Sequence, residues 1–162
     1  MRLNPALVRL TRKTVANVNC IGRHPPALRM AVLELRRRLR ALSRPYAQDA
    51  TQIDAVCTTV QRIASEADAA GLSAHRSIAV RLLEQLDPMR TEGYMPARIL
   101  QVMYECSELL LVCLVRPYDM RDAARLVRHL GDSRWEHPLG SAEREALLAA
   151  LLIEAVSRAN LT

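Results

Sequence analysis

Four cysteines, at positions 20, 57, 106 and 113, and four histidines, at 24, 75, 129 and 137, are the side chains best suited to bind a metal or attack a substrate. Their spacing argues against both uses. No Cys-x-x-Cys pair occurs, and Cys20-x-x-x-His24 is half of a zinc site with no second half elsewhere. Cys57 adjoins Val56, and Cys106 and Cys113 share one helical face, so these three read as small reduced apolar side chains. The histidines fall on separate elements, and no nucleophile turn, His-Glu-x-x-His motif or phosphate-binding glycine loop accompanies them. Asp119, Arg121, Asp122 and Arg125 can be drawn as acid and electrophile, but helix capping with spaced ion pairs accounts for them without an activated nucleophile. The expectation is a non-enzymatic protein with no catalytic residue, no metal and no cofactor.

Charge is the more informative signal. Residues 1–46 hold eleven basic groups and one acidic group, net +10, whereas residues 47–162 hold twelve basic and sixteen acidic groups, net −4. The overall charge of +6 therefore conceals a polarised chain. Arg29, Arg36, Arg37, Arg40 and Arg44 form the expected basic partner-binding face, with Arg38 among them. Such a face suits an acidic or amphipathic protein partner, which makes an adaptor, chaperone-like or regulatory interaction module the first functional expectation. The alternative is a nucleic-acid-binding regulator that contacts the phosphate backbone through the same arginines. Base stacking is not expected, because only Tyr46 stands at the edge of this segment. A helix-turn-helix over residues 121–145 is excluded by Asp132 to Gly140, with Pro138, which is poor material for a recognition helix. Twenty-two of the 23 basic residues are arginine, which fits a GC-rich, bacterial genome and weakens any argument from arginine choice alone.

Helices must position these groups. The chain of 162 residues is half apolar, has no phenylalanine and only five glycines, and reads as a globular all-α domain, a bundle of about seven helices. A first helix is expected from Pro5 to Asn19, where Leu3, Leu7 and Val8 could also join a homo-oligomer surface. Leu28, Val32, Leu35, Leu39 and Leu42 repeat at four and three, and so form one seam of a helix near 26–43. Ile53, Val56, Val60, Ile63, Ala67 and Ala70 repeat likewise near 50–70, with Asp49 and Gln52 as a capping box and Gly71 as carboxyl cap. A fourth helix, capped by Ser73, is expected to end at Asp87-Pro88. The fifth, near 96–115, carries Ile99, Met103, Cys106, Leu110 and Cys113 and should be the most buried. A sixth opens at Asp119 and Asp122 and closes at Gly131. The seventh, near 142–159, is capped by Ser141 and should bury Leu147, Leu148, Leu151, Leu152 and Val156. The helices near 26–43, 50–70, 96–115 and 142–159 are expected to form the principal bundle. Arg44-Pro45-Tyr46 recurs as Arg116-Pro117-Tyr118, an echo too short to establish a duplication.

No membrane span is expected, since Gln101, Glu105 and Glu108 interrupt the longest apolar helix. Arg2, Arg9, Arg12 and Lys13 break up any secretory leader, so a cytoplasmic location is expected. The acid-free run over residues 1–33 has the composition of a mitochondrial transit segment as its rival.

Overall fold

The structure, a computed structural model, describes residues 25–44, 48–116 and 119–160. These residues form six helices and no strand: α1 (Pro26–Leu42), α2 (Ala50–Ala69), α3 (Ser73–Glu92), α4 (Ala97–Val115), α5 (Met120–Leu130) and α6 (Ser141–Asn160). The all-α fold is therefore as expected; of the helices foreseen as the principal bundle, α1 packs on both α2 and α4, but α6 packs on α3 and α5 instead, and α3, with 20 residues, is an equal member of the bundle. The helix expected over Pro5 to Asn19 lies outside the described residues, as do Leu3, Leu7, Val8, Cys20, His24 and the Pro-Tyr halves of the echo.

The seams explain why these segments are helical and how they stack. Every member of the Leu28, Val32, Leu35, Leu39, Leu42 seam is buried, as are Ile53, Val56, Val60, Ile63 and Ala67 opposite it. Each such large side chain contributes about 1.5–3 kcal/mol relative to exposure. Helix α1 packs on α2 and α4, α4 on α5, α5 on α6, α6 on α3, and α3 back on α2, so the six helices close a ring over one contiguous core. Helix α4 has nine buried residues, more than α1, α2, α3 or α5, which agrees with its expected central place.

Helix ends follow local chemistry in most places. The Asp49 carboxylate accepts from the Gln52 N–H at 2.8 Å and caps α2. At the other end Gly71 takes φ +69°, its N–H donates to the Asp68 carbonyl and the Leu72 N–H to the Ala67 carbonyl. That is a Schellman turn, closed by burial of Leu72 against the core. Asp119 caps α5 through the Arg121 and Asp122 N–H groups.

Other expectations are corrected. Helix α3 does not stop at Asp87-Pro88 but continues through Pro88 to Glu92. Proline removes one backbone bond there, yet Met89 just beyond it is buried, and the left-handed Gly93 supplies the true terminus. Ser73 does not cap α3: its hydroxyl donates to Glu154, and the N-cap position is Leu72. In α6, Leu151 is buried and Leu147, Leu148 and Leu152 are partly buried, but Val156 is 58% exposed and Ile153 65% exposed. A helix apolar on nearly every side gives no periodic clue to its inward face, and Glu154 rather than Val156 turns in. Ser141 begins α6, and the capping bond runs from the Gly140 N–H back to Glu143 at 2.8 Å.

Candidate functional site

The expected basic arginines divide into tied and untied groups. On α1, Arg37 donates twice to Glu34, at 2.7 Å each, and Arg38 approaches the same carboxylate at 2.9 Å. These bonds hold Glu34 below the usual carboxylate range, the Arg37 hydrogen bond foremost. Arg36 crosses to α4, where it bonds Glu108 at 2.6 Å and the Tyr104 phenol oxygen at 3.2 Å. Arg40 reaches the same phenol oxygen at 2.7 Å but has no carboxylate partner among the described residues. Arg44 and Arg29 have none either. Of the five residues expected to form the face, two are therefore neutralised locally and three have no carboxylate partner among the described residues.

Arg40 and Arg44 stand beside a groove of about 790 Å³ between the end of α1 and the start of α4. Its α1 wall is Leu39, Arg40, Leu42, Ser43 and Arg44, and its α4 wall is Ala97, Leu100, Gln101 and Tyr104. The α4 residues recur at three and four, the spacing of one helical face, while Ser43 and Arg44 lie just past the end of α1. Gln48 and Tyr94 close one end, where the Gln48 side-chain carbonyl accepts from the Met95 N–H at 2.9 Å and fixes the connecting segment. Tyr94 is 55% exposed. The groove thus joins an apolar floor, a tyrosine rim and two guanidiniums free of carboxylates.

Tyr104 is the centre of this arrangement. The Arg36 and Arg40 guanidinium carbons lie 5.4 and 5.8 Å from its ring centroid, so both cations meet the ring face as well as the oxygen. The two hydrogen bonds, Arg40's first, pull the pKa of the phenol below its ordinary value. No helix-local pattern links positions 36 and 40 to 104. What the sequence did offer was a separate apolar seam on each of α1 and α4; that the two pack side by side is seen only in the structure.

A buried polar cluster on the far side of the ring was missed altogether. Glu154 of α6 accepts from the Ala74 N–H and from Ser73 Oγ through Oε1, while Oε2 lies 2.9 Å from His75 Nδ1. Burial pushes this carboxyl up, but the bonds from His75, Ala74 and Ser73 outweigh it and hold the group below its ordinary value. A residue of α6 thereby caps α3. Around the loop after α5, Arg134 bonds both Glu105 and Asp132, Trp135 Nε1 donates to the His129 carbonyl at 2.9 Å, and buried Gln85 accepts from the Glu136 N–H while donating to the His137 carbonyl. These residues pin residues 131–140 to the bundle.

The cysteines fit a packing role. Cys57, Cys106 and Cys113 are free and buried, and burial pushes the Cys106 and Cys113 thiols up to about 12, far from a reactive thiolate. Among the described residues no group of three His, Cys, Asp or Glu side chains converges as a metal site, and no helix is long and apolar enough to cross a membrane. Comparison of the chain with protein-family models, with curated proteins and with solved structures finds no match in any of the three.

Proposed function

We propose that the protein is a non-enzymatic helical interaction module, adaptor-like or regulatory, that engages an acidic or amphipathic protein partner through the groove between α1 and α4. One observation carries this reading: Arg40 and Arg44 flank an apolar concavity without a carboxylate partner among the described residues. A surface that only needed solvation would not require the apolar floor, and a purely structural one would pair its cations, as Glu108 pairs Arg36 and Glu34 pairs Arg37. A duplex-binding face would gain from a row of free cations, whereas Arg36, Arg37 and Arg38 are already committed to carboxylates.

The test is affinity capture by the purified chain, with the captured material identified and its 260 nm absorbance read. The reading expects a protein partner that is retained by Arg37→Glu and lost by the Arg40→Glu/Arg44→Glu pair. Equal recovery with both variants would remove the groove as the interface. Recovery of nucleic acid, with affinity falling steeply with salt, would favour the alternative.

A further inference from the structure

Two guanidiniums rarely converge on one neutral oxygen without a reason. Arg36 and Arg40 both donate to the Tyr104 phenol, at 3.2 and 2.7 Å, and only Arg36 is balanced by an acid, Glu108. Arg44 adds a second unbalanced cation at the same groove. A phenol is a neutral acceptor with one oxygen, whereas a carboxylate adds ionic attraction and can pair with arginine through two oxygens. The phenol oxygen therefore occupies a position whose electrostatics favour an oxyanion. The surroundings say what kind of molecule carries that oxyanion. Tyr94, Ala97 and Leu100 form an apolar wall beside the cations, so a ligand that is charged at one point and apolar alongside it matches the groove better than a uniformly charged strand.

We infer that the groove seats an amphipathic helix of an acidic protein partner, one carboxylate of which replaces the Tyr104 phenol at Arg40 while its apolar side lies on Tyr94, Ala97 and Leu100. Tyr104 is then a placeholder: in the free protein it holds Arg40 extended over the groove, and on binding it gives up that hydrogen bond. Arg36 keeps its bond to Glu108 and serves as a positioning residue that keeps the Tyr104 ring against α1. This inference rests on the interaction reading above and specifies the chemistry recognised at that site.

Placeholder and recognition roles have opposite consequences. If the phenol competes with the ligand for Arg40, Tyr104→Phe removes the competitor and tightens binding. If the phenol itself recognises the ligand, the same change weakens it.

The experiment uses the full chain and a fluorescently labelled, helix-forming peptide of roughly four turns, with leucines along one face and one central glutamate. The expected results are saturable binding, loss of about tenfold or more in affinity for the glutamine version of the peptide, a similar loss for Arg40→Gln, and a gain of about threefold to tenfold for Tyr104→Phe. Circular dichroism and melting establish that each variant is folded. Weakened binding in folded Tyr104→Phe, equal affinity for the glutamate and glutamine peptides, or no peptide binding at all overturns the inference. A duplex oligonucleotide bound more tightly than the peptide, and released by Arg40→Gln, overturns it too. A natural partner that is lost on Arg40→Glu/Arg44→Glu, yet indifferent to Tyr104→Phe, would leave the interaction reading standing while this inference falls.

Discussion

Replacing Glu154 by alanine tests how the ring of helices is closed. The side chain is 8% exposed and satisfies three donors on α3: the Ser73 hydroxyl, the Ala74 N–H and the His75 ring. Ser73 is exposed and can turn to water, but the Ala74 N–H is buried and loses its acceptor. Stranding a buried polar group costs about 1–3 kcal/mol, so a destabilisation of that size is expected for Glu154→Ala. Glu154→Gln retains one acceptor oxygen and should lose about half as much. Urea denaturation, followed by far-ultraviolet circular dichroism, measures both. The pH dependence gives an independent check. The folded carboxyl sits below its ordinary value of 4.5, so the native state holds fewer protons than the unfolded chain in the window beneath that value. Stability from this group is fully present above pH 4.5 and is lost as the pH falls through the lower folded value. Part of the acid limb of the wild-type curve should therefore vanish in Glu154→Gln. A loss below about 1 kcal/mol for the alanine variant, with an unchanged acid limb, would refute the reasoning.

Other parts of the fold give simpler tests. A methyl group at Gly131 would lie 2.6 Å from Arg144 Cδ, on a flexible side chain that can move aside, so Gly131→Ala should destabilise by less than about 1 kcal/mol in urea titrations, and shortening Arg144 to alanine in the same chain should remove that loss. Pro88 is exposed within α3 and leaves the Glu84 carbonyl without its helical donor, so Pro88→Ala should raise the melting temperature by stabilising about 1 kcal/mol or more. Cys106 and Cys113 should resist a thiol reagent at neutral pH in the native protein and react at once in denaturant, because burial pushes their pKa values up to about 12.

The helical seams were legible in the sequence because burial there follows the helix period. Leu28 through Leu42 on α1 and Ile99 through Cys113 on α4 repeat at three and four, and each of those positions is buried. The caps at Asp49 and Asp119 were legible too, since a short acid acts on donors two or three residues ahead. What escaped depends on contacts between distant segments. Pro88 resembles a stop until Met89 is known to face the core. Ser73 and Ser141 resemble caps until Glu154 and Glu143 are seen supplying carboxylates instead. The face of α6 could not be read from a segment apolar on nearly every side.

The same distinction applies to the candidate site. Arginine number and position were visible, and they marked α1 as the place to look. Which arginines keep their charge was not, because that depends on Glu108 and Tyr104, far along the chain on α4. Glu34 lies within one turn of Arg37 and Arg38, so that part of the pairing was in principle readable from spacing alone.

The most direct test of the partner-binding groove is a titration of the full chain with the labelled acidic helix, repeated with Arg40→Gln and with Arg37→Gln. The account predicts saturable binding that is weakened about tenfold or more with the first variant and kept with the second, since Arg37 is already held by Glu34. Equal affinity for wild type and both variants would contradict it.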